Sequence, residues 1–328
     1  MGCAGSRREA DTMEITPTTW MVFAGVLFGF LAVDLWAHRG ERHDSKRSAV
    51  FWSAVWIAVG LAFGGFVWWR FGGRPAVDYL GAYLIEKSLS VDNLFVFLII
   101  FQMLGIPKDN QRTVLSWGIF GALVLRGLFV FLGATAIERY HWVVYVFGAI
   151  LLAAAWRTFR EDPSRQEENK AVEWLSRHLP VTHRIHGDGF LAREGGRTVA
   201  TPLLIALLGL ELTDVIFAID SVPAAFAISR EPFIVYSSNA FAILGLRSLY
   251  LVLAHTLPQM TYLHYGLAAV LAFAAVKLMI AEWINIPAWL SIAFIVVTLG
   301  ASVWASVRWG EEAEVERKPP APLDPERH

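Results

Sequence analysis

Glu86-Lys-Ser-Leu-Ser-Val-Asp-Asn-Leu-Phe95 and Asp214-Val-Ile-Phe-Ala-Ile-Asp-Ser-Val-Pro223 each place an acid ahead of an Asp six residues on, which Asn or Ser follows at once, in strongly apolar surroundings. A carboxylate at the centre of a bilayer costs about 2.5–3.5 kcal/mol even on insertion scales, so it persists where a cation, a proton or water compensates it. Two matching copies point to a cation pathway. The candidate ligands are Glu86, Asp92, Asn93, Asp214, Asp220 and Ser221, with Glu211 one turn before Asp214 as an accessory. All are oxygen donors, whereas zinc and copper sites recruit His or Cys, which neither motif contains. Mn2+ is the transition metal that best matches such a set, with Ca2+ and Mg2+ as alternatives at the same site, and neither an organic cofactor nor a catalytic residue is implied.

At about 100° per residue, Glu86 and Asn93 share a helix face, as do Asp214 and Ser221, while Asp92 and Asp220 are turned away by about 120°. Convergence on one ion therefore requires a break in each helix or two helices presenting complementary faces. Pro223 removes a backbone donor and frees a carbonyl about four residues earlier, which could loosen the second motif. No Pro or Gly lies between Glu86 and Phe101, so no break is expected in the first.

The surroundings identify the solvent. The 328 residues are 55% hydrophobic and 17% charged, include 14 Trp, and have a mean hydropathy of +0.47. That is the composition of a polytopic membrane protein. A formal net charge of −1 gives no reason to invoke nucleic acid. One cysteine, Cys3, excludes an internal disulfide framework. Met1-Gly-Cys-Ala-Gly-Ser6 fits a myristoylation pattern too short to carry weight. The charges at Arg7, Arg8, Glu9, Asp11 and Glu14 argue against a cleaved signal peptide.

Apolar runs of about 20 residues, long enough to span the hydrocarbon, predict nine helices, over 18–37, 49–69, 77–103, 112–132, 139–158, 199–228, 231–256, 263–281 and 285–307. The third and sixth carry the motifs and are too long and too polar in the middle for plain spans, so tilt or interruption is expected there. Lys and Arg concentrate after the first span and between the fifth and sixth, which puts those loops in the cytoplasm, the N-terminus outside and the C-terminus inside. The expected location is a bacterial-type inner membrane.

The chain divides into an extracytoplasmic extension (1–17), an N-terminal membrane half (18–158), a basic cytoplasmic loop (159–198), a C-terminal membrane half (199–307) and a disordered tail (308–328). Gly118-Ile-Phe-Gly-Ala-Leu-Val-Leu-Arg126 resembles Asn239-Ala-Phe-Ala-Ile-Leu-Gly-Leu-Arg247, and Tyr145-Val-Phe-Gly-Ala-Ile-Leu-Leu resembles His264-Tyr-Gly-Leu-Ala-Ala-Val-Leu. The fold class is accordingly all-α, with two three-helix repeats at 77–158 and 199–281 and a last helix at 285–307. Because each repeat has an odd number of spans, the second inserts inverted, the design of many secondary transporters with a midplane site.

The competing reading pairs the acids with Lys87, Arg126, Arg247 or Lys277 as ion pairs that hold the bundle together. For Arg126 and Arg247 that counterion role is the expected one. Five acids in duplicated motifs nevertheless exceed the nearby fixed positive charge, which leaves room for a mobile cation. Asp34, near the end of the first span, reads as an interfacial cap or gate.

Tyr83-Leu-Ile-Glu-Lys-Ser-Leu-Ser-Val-Asp-Asn-Leu-Phe-Val-Phe97, Glu211-Leu-Thr-Asp-Val-Ile-Phe-Ala-Ile-Asp-Ser-Val-Pro-Ala224 and Ala32-Val-Asp-Leu35 resemble the TerC family of integral membrane proteins, over about residues 18 to 307. That family is named for tellurium resistance, is related to the LysE transporter superfamily and includes manganese exporters. The resemblance implies Mn2+ efflux, with Glu86, Asp92, Asn93, Asp214, Asp220 and Ser221 in the metal-site positions. Direct transport of tellurite, an oxyanion, is not expected from a cluster of carboxylates. Metal and protons should compete for the acids, giving proton-coupled alternating access. A second reading is an assembly or metal-loading partner for membrane or exported proteins, with tellurite resistance an indirect phenotype. An intramembrane aspartyl hydrolase using Asp92 and Asp220 is more remote, since the Asn, Ser and Glu neighbours suit coordination.

Overall fold

Proline opens three of the apolar helices, at Pro17, Pro202 and Pro232, where its fixed φ suits the first turn and its missing N–H costs nothing. The structure, a computed structural model, describes residues 15–37, 46–160, 172, 174–175, 182, 187, 189–194, 197–253, 262–281, 283–284 and 286–317. Its helices are α1 (Pro17–Ala37), α2 (Lys46–Phe71), α3 (Gly73–Met103), α4 (Lys108–Arg139), α5 (Val143–Arg160), α6 (Pro202–Ile228), α7 (Pro232–Ile243), α8 (Leu246–Leu253), α9 (Leu263–Ile280) and α10 (Ala288–Arg317). Between α5 and α6, β1 (Leu191–Glu194) pairs antiparallel with β2 (Arg197–Ala200), a hairpin at the end of the predicted basic loop, where the all-α reading foresaw no strand.

Among the described residues seven helices, α1, α2, α4, α5, α6, α9 and α10, are long and apolar enough to cross a membrane. Helix α3 is longer than most of them at 31 residues, but Glu86, Lys87 and Asp92 interrupt its apolar character. It ends cleanly. Gly105 takes φ +62, and the amides of Ile106 and Gly105 turn back to Phe101 O (2.9 Å) and Gln102 O (3.2 Å), closing a Schellman cap.

One alternative left open by the sequence is decided here, and two expectations are corrected. Helices α3 and α6 are both continuous, Pro223 included, so the motifs meet by presenting complementary faces. The interruption lies instead in the predicted span 231–256, which is two helices separated by Leu244 and Gly245, the latter at φ +80. The last helix runs on to Arg317, beyond the predicted start of the disordered tail at 308. Residues 1–14 of the predicted extension, most of the 159–188 stretch and the tail from 318 lie outside the described residues.

Half of the α6 span and 56% of the α9 span are buried, against 17% for α1 and α10, which puts α6 and α9 at the centre and α1 and α10 at the rim. Large apolar side chains on the rim, among them Met21, Phe51, Trp69, Val297 and Val307, are exposed. A surface of this kind is matched to lipid, where backbone polar groups are satisfied inside the helices. Glycines let the central helices approach closely. Gly118 of α4 stands against Leu210 of α6 and Gly133 against Phe226, so these two helices run parallel. Gly81 of α3 meets Ile228 near the far end of α6, so α3 runs the opposite way. Helix α5 packs on α9, with Gly148 against Met279 and Phe159 against Tyr265, an antiparallel pair.

Candidate functional site

The parallel course of α4 and α6 and the reversed course of α3 bring three charged positions to one point. Arg126, 1% exposed on α4, donates through Nη1 to Glu86 Oε1 on α3 and to Asn239 Oδ1 on α7 (2.8 Å), and through Nη2 to Asp214 Oδ1 on α6 (3.2 Å). Four helices therefore meet in one guanidinium. The planar fork of arginine suits two carboxylates and an amide at once, which a lysine could not hold in that geometry. Asn239 Nδ2 donates to Val235 O (2.8 Å), one turn back on its own helix, which turns its carbonyl oxygen toward Arg126.

Each acid keeps one oxygen in reserve. Glu86 Oε2 and Asp214 Oδ2 are buried and accept no hydrogen bond from the described protein groups, and the same holds for Ser221 Oγ further along α6. Glu86 and Asp214 together carry one more negative charge than Arg126 neutralises when both are ionised. The arrangement can bind a further proton or a cation through those free lone pairs.

The remaining predicted ligands are distributed along the same helices. Asp220 is buried on α6 and accepts from Arg157 of α5 at 3.5 Å, an arginine whose side chain is 52% exposed. Asn93 is buried on α3, about two turns from Glu86 on the same face. Asp92 lies in α3, but its side chain is outside the described ones. Glu211 packs against Gly121 of α4, where any Cβ would strike its carboxyl group. Asp34 is buried on α1. Among the described residues no three His, Cys, Asp or Glu side chains come together as a metal cluster.

Two other cations are placed with equal definition. Lys87 Nζ donates to Ala242 O (3.0 Å), the carbonyl at the end of α7. Arg247 of α8 donates to Ser116 Oγ of α4 (3.3 Å). Arg126 thus pairs with two of the predicted acids, and the contacts of Arg247 include a hydroxyl on α4. Sequence reading passed over Arg157 as one more basic residue beside the loop, although its place in the last turn of α5 was a usable signal. It also passed over the α7–α8 break, whose one sign is Gly245 within an apolar run. A groove of about 560 Å³ between α1, α2 and α7, walled by Val22, Phe23, Phe63, Phe66, Phe233 and Phe241, contains none of the predicted ligands.

Known proteins share this chain's pattern nearly end to end. The membrane protein STKORF319 of Myxococcus xanthus is 43% identical over 295 residues, 89% of this chain and 92% of the relative. A protein of Escherichia coli K12 named "Putative membrane-bound redox modulator Alx" is 40% identical over 309 residues, covering 89% and 96%. A membrane protein of Rickettsia bellii is 34% identical over 292 residues, covering 88% and 97%. No solved structure matches. The family described as integral membrane protein TerC matches residues 71–314, a stretch that contains Glu86, Arg126, Asp214 and Asn239, and the chain belongs to that family.

Proposed function

We propose that the protein exports a divalent metal cation, Mn2+ as the preferred cargo, in exchange for protons. The observation that carries this reading is the convergence of Glu86 and Asp214, the leading acids of two matching motifs, on one buried point, each with a carboxylate oxygen unused by the protein. Asn239 adds an amide oxygen, and Ser221, on the Asp214 face of α6, adds a buried hydroxyl. Hard oxygen donors of this kind suit Mn2+, Mg2+ and Ca2+.

The chain directions support an inverted-repeat design. Helices α3 and α6, which carry the matching motifs, run in opposite directions. Arg126, at the end of its segment on α4, reaches Asn239, the first residue of the matching segment on α7, and Arg247, at the end of that segment, reaches back to Ser116 of α4. A reciprocal crossing of this sort is what a two-fold relation between repeats produces. The two halves would rock about this point, loading metal from the cytoplasmic side and protons from the other. This reading needs no organic cofactor and no catalytic step.

The test is cellular manganese, measured by elemental analysis after a Mn2+ challenge, in cells carrying the wild type, Glu86→Gln, Asp214→Asn or no protein. Lower manganese with the wild type alone supports export through the paired acids. Equal manganese in all four, with the protein shown to be in the membrane, overturns it for this ion and shifts the weight to a role in membrane-protein assembly or metal loading.

A further inference from the structure

A helix that stops inside a membrane leaves its last carbonyls without amide partners, and the helix dipole adds negative potential at that end. Helix α7 stops in this way. The Leu244 amide closes its final turn on Ala240 O (3.1 Å), and the next backbone bond beyond the break is Leu249 N to Gly245 O (2.9 Å). No described backbone amide outside the helix reaches Phe241 O, Ala242 O or Ile243 O. These residues are buried, at 0–1% exposure, so bulk water is not at hand to replace the missing donors.

The break is built in. Gly245 holds φ +80, a conformation other residues rarely adopt, and the space where its side chain would stand is taken by Trp56, whose Cγ lies 2.7 Å from the ideal Cβ position. What fills the carbonyl end is a cation from another helix: Lys87 of α3 extends its ammonium to Ala242 O at 3.0 Å. Discontinuous helices elsewhere in membranes use such carbonyl ends to coordinate a coupling cation.

We propose that the carbonyl end of α7 is a monovalent-cation site whose occupant is tethered, the Lys87 ammonium standing where a free ammonium or alkali ion would otherwise bind. The site is distinct from the divalent position at Arg126, since its donors are neutral carbonyls and its occupant carries one charge. Asn239 and Ala242 lie three residues apart on α7, so the two positions share one helical turn, and Arg126 and Lys87 hold that turn from α4 and α3. A fixed monovalent occupant makes the protein independent of ambient sodium, potassium or ammonium.

The proposal is tested on purified Lys87→Met, which keeps the apolar stem, and Lys87→Ala, by thermal melting in ammonium, potassium or tetramethylammonium chloride at matched ionic strength. Ammonium or potassium should raise the melting temperature of both variants by about 3–5 °C over tetramethylammonium, which is too large for the carbonyl end, and leave the wild type unmoved. Identical melting in all three salts for both variants overturns the tethered-occupant assignment and leaves Lys87 a fixed cap. A salt shift of equal size in the wild type overturns it as well. Because the readout requires no manganese, this inference and the export reading stand or fall separately.

Discussion

Arg126 and Arg247 end matching segments of sequence, yet their surroundings differ. Arg126 sits on an unbroken 32-residue helix and is locked by two carboxylates and an amide. Arg247 follows the α7–α8 break on an eight-residue helix and donates to a serine hydroxyl. Both are buried, at 1% and 5% exposure. The difference teaches that two segments with matching residue types need not share helix continuity. Arg126, on its unbroken helix, reaches the leading acids of both motifs, Glu86 and Asp214.

Removing Arg126 should have the largest effect. Arg126→Ala leaves Glu86 and Asp214 facing one another without a counterion, which costs about 3–5 kcal/mol for a buried pair deprived of one partner. The outcome expected is loss of the folded peak in detergent size-exclusion chromatography, regained in part in the triple variant with Glu86→Gln and Asp214→Asn. A well-folded Arg126→Ala protein would show that the acids do not depend on this guanidinium. Arg247→Gln is milder, about 1.5–3 kcal/mol for a buried hydrogen bond to a charged group, and melting of the two single variants ranks them directly.

Gly245→Ala probes the cause of the asymmetry. Adding a Cβ at φ +80 against Trp56 should cost about 1–3 kcal/mol and lower the melting temperature by several degrees, through strain in the break itself. If the variant melts like the wild type, the break is not held by glycine geometry. The smallest effect belongs to Arg157→Gln. Its partner Asp220 is 3.5 Å away, but the arginine is half exposed, so the pair is worth less than about 1 kcal/mol and should fade with added salt. A larger loss, insensitive to salt, would move Asp220 into the same class as Glu86 and Asp214.

Much of this was legible in the chain. Long apolar runs located the ends of α1, α3, α6 and α9 to within about four residues, because a bilayer demands helices of defined length and apolarity. Burial of Glu86 and Asp214 followed from acids set in apolar runs. The partner of Glu86 was only one of four cations weighed, since Arg126 is 40 residues away in the chain and nothing local selects it over Lys87. The α7–α8 break was missed because Leu244 and Gly245 are as apolar as their flanks, so hydropathy runs through them without a dip. The hairpin at 191–200 was missed because a short polar segment carries little periodicity to detect.

What the sequence determined by itself was the solvent, the number of acids and their duplication, since these depend on residue type and spacing alone. What only the tertiary structure decided was who neutralises whom. Ion pairing across a bundle depends on which helices are neighbours and in which direction they run, and that is settled by packing at Gly81, Gly118, Gly121 and Gly133, where the absence of a side chain sets how closely α3, α4 and α6 approach.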